Sequence, residues 1–151
     1  MEYGLIGARL GHSFSPEIHK KIADYHYELC ELTPDGVAEL MRGRSFRAIN
    51  VTIPYKETVI PMLDEISPEA RRIGAVNTVV NRGGRLYGYN TDYSGAAALI
   101  RHAGVTPGGK KVLLLGTGGT SKTLHAVLSD MGASEIVTVS RTAGEGRVTY
   151  A

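Results

Sequence analysis

The sequence predicts an α/β fold with a largely parallel sheet. Short apolar segments alternate with helix starts along the whole chain, the pattern of strands joined by helical crossovers. Three of those helix starts pair a hydroxyl residue with proline: Ser15-Pro16, Thr33-Pro34 and Ser67-Pro68. Such pairs mark N-cap and N1 positions. Glycine is abundant, 19 of 151 residues, and gathers in the turns between segments.

Tyr3 to Ile6 reads as a first strand, and Gly7 to Ser15 as a polar loop. Ser15 is expected to cap a helix whose Ile18, Ile22 and Tyr25 share one face. Tyr27 to Leu32 reads as a strand, and Thr33-Pro34 opens a helix running through Met41. Phe46 to Thr52 is a third strand. Pro54 and Pro61 leave room for about one helical turn around Lys56 to Ile60. Ser67-Pro68-Glu69 starts another helix. Val76 to Asn81 and Leu86 to Tyr89 form a hairpin around Arg82-Gly83-Gly84-Arg85. An amphipathic helix, Tyr93 to Ala103, stops at Gly104. Lys111 to Leu115 is a buried strand, followed by a glycine turn and a helix that stops at Gly132. Glu135 to Val139 is the last strand expected.

Composition narrows the function. With 17 basic and 15 acidic residues the formal charge is +2, and no basic block is present, so nothing points to nucleic acid. No run approaches the roughly 18 apolar residues of a membrane span. The single cysteine, Cys30, excludes an internal disulfide and a multi-cysteine metal site. The five histidines show no metal-ligand spacing, and no metal is expected. The N-terminus lacks the charged and apolar regions of a secretory signal, which makes a soluble cytoplasmic protein the expectation. No feature fixes an oligomeric state.

The strongest local motif is Lys111-Val-Leu-Leu-Leu-Gly116-Thr117-Gly118-Gly119-Thr120 leading into a helix. Strand, glycine turn and helix start in that order make a dinucleotide-binding turn credible: the glycines let a pyrophosphate approach the backbone, and the helix offers free N–H groups. Ser121 stands where the third glycine of the usual pattern would be. The same stretch, Gly116 to Thr123, resembles a phosphate-wrapping P-loop, but Ser121 also replaces the glycine such a loop needs. One strand further on, the chain reads Ser140-Arg141-Thr142. No carboxylate stands there to take a ribose 2′-hydroxyl, whereas Arg141 suits a 2′-phosphate, so NADP is the expected cofactor.

Four further segments stand in order before that turn: Gly11-His12-Ser13-Phe14-Ser15-Pro16, Asn50-Val51-Thr52-Ile53-Pro54-Tyr55-Lys56, Ile73-Gly74-Ala75-Val76-Asn77-Thr78 and Gly88-Tyr89-Asn90-Thr91-Asp92. Together with the glycine turn they resemble the shikimate dehydrogenase family across essentially the whole chain. The resemblance implies an N-terminal three-layer substrate domain with a mostly parallel sheet, residues 1–100, and a partial Rossmann-like βαβ unit, residues 101–151. It implies NADPH-dependent reduction of 3-dehydroshikimate to shikimate, in chorismate and aromatic amino-acid biosynthesis. Ser13 and Ser15 would bind the substrate carboxylate. Thr52, Asn77 and Asp92 would bind ring hydroxyls. Lys56 would transfer the proton, with Asp92 its partner. Gly116 to Thr120 and Ser140 to Thr142 would hold the cofactor.

Taken singly these residues have plainer readings: Lys56 a solvated surface lysine, Ser15 and Asp92 helix caps, Asn77 a strand-end turn residue. Their shared order favours the functional reading. A quinate-type paralogue and a non-catalytic ligand-binding fragment remain as alternatives, since a carboxylate and ring hydroxyls suit more than one substrate. The resemblance further implies strands and a helical segment beyond Ala151. The activity is therefore expected of a longer parent protein, with no turnover by these 151 residues alone.

Overall fold

The computed structural model describes residues 1–144 and 146–150. The chain divides into two compact units, Met1–Asn90 and Thr91–Ala151. The expected boundary lies in the 90 to 108 stretch, drawn at residue 100, and the helix after Asn90 groups with the second unit, where the Tyr93 hydroxyl hydrogen-bonds the Asp130 carboxylate.

The first unit is built on a six-stranded sheet in the order β2-β1-β3-β5-β6-β4. Its strands are β1 (Tyr3–Gly7), β2 (Glu28–Glu31), β3 (Ala48–Val51), β4 (Glu65–Ile66), β5 (Thr78–Arg82) and β6 (Arg85–Tyr89). β1 pairs parallel with both β2 and β3, and β4 pairs parallel with β6. β5 runs antiparallel to β3 and to β6. Its tight hairpin turns on Gly83 and Gly84, at φ 60° and 85°. Positive φ at both central residues matches the right-handed twist of the strands, and glycine adopts it without a Cβ clash.

Helices α1 (Ser15–Ile22), α2 (Pro34–Gly43) and α3 (Pro68–Ile73) connect these strands. Thr33 and Ser67 cap α2 and α3, their hydroxyls accepting from the N–H of Gly36 and Ala70 at 3.2 Å each. The apolar core lies on one face of the sheet. There Ile6, Ile49, Val51 and Val79 meet Val37 and Met41 of α2 and Ala70 of α3. At about 25 cal/mol per Å2 of apolar surface, a fully buried Val or Ile contributes roughly 1.5–3 kcal/mol, so this cluster dominates the unit's stability.

α1 departs from expectation in two ways. Its N-cap is Phe14, and Ser15 is already the first helical residue. The cause is local: Ser13 Oγ accepts from the Ser15 N–H at 3.2 Å, so the cap's task is done two residues early. The apolar face also stays outside the core, with Ile18 and Ile22 53% and 69% exposed.

The second unit holds α4 (Thr91–His102), β7 (Lys111–Leu115), α5 (Ser121–Asp130), β8 (Glu135–Ser140) and β9 (Arg147–Thr149). Its three strands pair parallel in the order β7-β8-β9. This is the expected βαβ unit, extended by a third strand that no local pattern announces; β7, expected to be buried, leaves Leu113 and Leu115 62% and 68% exposed. Leu114, Val127, Leu128 and Val139 are buried within it. The described residues hold no helix long and apolar enough to cross a membrane.

Candidate functional site

Topology gathers the first unit's candidate residues at one edge of the sheet. β1 and β3 are parallel with Ile6 opposite Val51, so the loops that follow both strands leave the sheet at the same end. β5 is antiparallel to β3 with Asn50 opposite Thr78, so its N-terminal end, at Asn77, meets that edge too. The loop after β1 carries Ser13 and leads into Ser15 at the start of α1, the segment after β3 carries Thr52 and Lys56, and Asn77 precedes β5. In open α/β sheets this carboxyl edge is where ligands bind.

Backbone hydrogen bonds pin these segments together. The Val51 N–H donates to the Asn77 carbonyl and the Val76 N–H to the Lys56 carbonyl, both at 2.8 Å. The Thr52 N–H donates to the Ile6 carbonyl at 2.9 Å. The two serines form a unit of their own, Ser13 Oγ donating to Ser15 Oγ at 3.1 Å, both half-buried. Two hydroxyls beside a helix N-terminus form a fitting cradle for a carboxylate.

Asn77 is buried, 8% exposed. Thr78 Oγ1 donates to its Oδ1 at 3.0 Å. Asn50 Nδ2 donates to Thr78 Oγ1 at 3.1 Å and more loosely to the Asn77 carbonyl at 3.4 Å. Asn50 lies between Ile49 and Val51 on β3, so its side chain faces away from the apolar core. On this second face Asn50 stands between Leu5 and Thr78, and Thr78 opposite Tyr89, so polar groups there lie beside apolar ones. Asp92 opens the second unit, in the first turn of α4.

The second unit carries the nucleotide-binding candidates. A cleft of about 530 Å3 is lined by Gly116, Thr117, Gly118, Ser140, Arg141 and Tyr150. The first five are among the residues expected from sequence. Gly119, Thr120 and Thr142 adjoin them in the chain but do not line the cleft. Tyr150 went unnoticed in the sequence because it lies beyond the last expected strand; it reaches the cleft through the parallel pairing of β9 with β8. Gly116 sits at φ 102° as the chain leaves β7, a conformation closed to other residues at little cost. Its N–H donates to the Val139 carbonyl at 2.8 Å, which holds the turn beside the end of β8. A bare glycine backbone and a guanidinium on one cleft fit a phosphorylated dinucleotide.

The fold is an α/β domain on a mixed sheet joined to a Rossmann-like βαβ unit. Residues 5–79 match the family model described as the shikimate dehydrogenase substrate binding domain. The chain is 46% identical over 148 residues to the NADP(+) shikimate dehydrogenase of Halothermothrix orenii, covering 92% of this chain and 51% of that protein. Among solved structures it resembles a chorismate mutase/shikimate 5-dehydrogenase fusion protein from Clostridium acetobutylicum, with TM-score 0.92, 34% identity, and 98% of this chain on 61% of that one. It also resembles the shikimate 5-dehydrogenase from Thermus thermophilus in complex with NADP(H) and shikimate, with TM-score 0.82, 34% identity, and 94% of this chain on 57% of that one. The chain belongs to the shikimate dehydrogenase family. It spans about half the length of the curated relatives it matches.

Proposed function

We propose that the chain forms the substrate-binding part and the first portion of the cofactor-binding part of an NADP-dependent shikimate dehydrogenase, which reduces 3-dehydroshikimate to shikimate. The observation that carries this reading is the convergence of Ser13, Ser15, Thr52, Lys56 and Asn77 on one sheet edge. The reading places the protein in aromatic amino-acid biosynthesis, with a cytoplasmic location and a small-molecule substrate.

In this reading Ser13 and Ser15 take the carboxylate through charge-assisted hydrogen bonds. Thr52, Asn77 and Asp92 take ring hydroxyls, which fixes the ring's rotation about that anchor. Lys56, with Asp92 as its partner, sets its ammonium at the ketone oxygen, stabilises the charge that develops there and gives up a proton to it. Gly116 to Thr120, Ser140, Arg141 and Thr142 hold the dinucleotide, Arg141 at a 2′-phosphate. The bound cofactor supplies the hydride that the protein's own side chains cannot provide.

The test is direct. Shikimate is titrated into the purified chain and into a Ser13→Ala/Ser15→Ala variant by calorimetry. Each hydrogen bond to a charged group is worth about 1.5–3 kcal/mol, so the double variant is expected to lose well over tenfold in affinity. Equal affinity in both would remove the serine pair from the site.

A further inference from the structure

A chain of hydrogen bonds that begins on another element runs to the Asn77 carboxamide. The Tyr27 hydroxyl donates to Asn50 Oδ1 at 2.6 Å. Asn50 Nδ2 donates to Thr78 Oγ1 at 3.1 Å, and Thr78 Oγ1 donates to Asn77 Oδ1 at 3.0 Å. Every donor points the same way. Asn50 Nδ2 also reaches the Asn77 carbonyl, which can only accept, so the nitrogen end of Asn50 is fixed, and a one-directional chain strengthens each member.

The start of the chain is braced. The Tyr27 ring stacks on His19 of α1, with centroids 3.8 Å apart and planes 15° from parallel. Tyr25 meets both rings edge-on, at 5.8 Å from His19 and 6.5 Å from Tyr27. His19 Nδ1 hydrogen-bonds the Tyr25 hydroxyl. A neutral imidazole protonated on its other nitrogen leaves Nδ1 able to accept from the Tyr25 hydroxyl.

We propose that Tyr27, clamped by His19, is a positioning residue for substrate, orienting the Asn77 carboxamide through Asn50 and Thr78. This rests on the reading that Asn77 takes a ring hydroxyl. Burial pushes the Tyr27 phenol far above its ordinary range, with Tyr25 adding to the effect, so it remains a donor wherever the protein is folded. Burial also holds His19 below its ordinary value, against the pull of Asn50, in keeping with a neutral ring. Stability alone does not call for such a chain. The opposite face of these strands is held by Ile49, Val51 and Val79, and apolar groups of similar shape could replace a satisfied polar chain at little cost.

The experiment uses the chain with wild-type sequence, Tyr27→Phe, Asn77→Ala and the double variant. The side-chain amide resonances of Asn50 and Asn77 are followed by NMR, and shikimate dissociation constants by calorimetry. Tyr27→Phe removes one oxygen and keeps the stacked ring. It is expected to shift the amide resonances of Asn77, three hydrogen bonds away, and to weaken shikimate binding on the order of tenfold, the equivalent of one hydrogen bond. In the Asn77→Ala background the same substitution is expected to cost nothing further. Unmoved Asn77 resonances overturn the proposal. So does unchanged shikimate affinity in Tyr27→Phe, or a loss that persists in full without Asn77. If the wild-type chain binds no shikimate while the Asn77 resonances move, the functional reading falls and the positioning chain stands.

Discussion

Gly7 closes β1 where its backbone passes the segment that carries Thr52. A Cβ built there lies 2.7 Å from Leu10 Cδ2, 2.7 Å from Thr52 Cγ2 and 3.3 Å from the Ile53 carbonyl oxygen. The first two distances are shorter than carbon atoms tolerate, so Gly7→Ala forces a displacement. Leu10 is buried, 4% exposed, and has little room to turn away. The Ile53 carbonyl is held by the Ala8 N–H at 3.2 Å, so the backbone there resists as well. Much of the adjustment therefore falls on Thr52. Overpacking of this kind costs about 1–3 kcal/mol, or roughly 4–8 °C in midpoint per kcal/mol for a unit of this size. Misplacing a positioning group by about 1 Å costs up to 10²-fold in function. Gly7→Ala is thus expected to lower the thermal midpoint and to weaken shikimate binding together. Gly11→Ala is the control, since a Cβ at Gly11 meets no atom within 4 Å. Calorimetry on both variants checks the argument. A Gly7→Ala protein with wild-type midpoint and wild-type affinity would refute the crowding argument and, with it, the placement of Thr52 at the binding edge.

Three other outcomes are expected. In a full-length protein completed with the C-terminal half of a relative, Lys56→Ala should lower kcat by about 10²–10⁴-fold, the usual contribution of a positioned acid; undiminished turnover excludes the role. In the same protein, Arg141→Ala should erode the preference of kcat/KM for NADP over NAD by about ten- to a few-hundred-fold, and a wild-type ratio near one would show that Arg141 does not discriminate. Asp64 accepts from the Leu86 N–H at 2.7 Å and pairs with Arg44 at 2.8 Å; the backbone bond first, then Arg44, holds its carboxyl below the usual range. A lowered folded-state value means the stabilisation is present above the unfolded value near 4 and is lost as pH falls through the lower folded one. Acid unfolding curves of Asp64→Asn should accordingly show a shallower decline below about pH 4 than wild type, and parallel curves would exclude Asp64 as a contributor.

The elements legible in the sequence are those whose determinants are local. Thr33 and Ser67 were readable as caps because a hydroxyl before Pro-x-x does its work within four residues. The Gly83-Gly84 hairpin and the strand–glycine–helix passage at Gly116 are equally self-contained. α1 misled because its apolar spacing is genuine, yet what it sets against the sheet is His19, stacked on Tyr27, while Ile18 and Ile22 stay exposed. β4, two residues long, has no period to detect. β9 is specified by pairing with β8, which no local pattern announces. The site followed the same division. Ser13, Ser15, Thr52, Lys56 and Asn77 lie within short motifs, whereas the link from Tyr27 to Asn50 joins residues 23 apart and exists only once β1 has paired with both β2 and β3.

The hairpin turn carries a responsibility out of proportion to its distance from the binding edge. Gly83 and Gly84 lie at the far end of β5 and β6 from Asn77, and the pairing they enforce runs from Arg82 opposite Arg85 to Thr78 opposite Tyr89. A strand has only two faces, so a loop one residue longer that shifted β5 by one position would exchange them. The Thr78 hydroxyl would then turn into the aliphatic interior, and the methyls of Val79 would lie against Asn50. The binding edge would keep every residue of its motif and lose its chemistry. Two glycines that touch no ligand thus act as a proofreading device, rejecting any fold in which oil and alcohol have traded places.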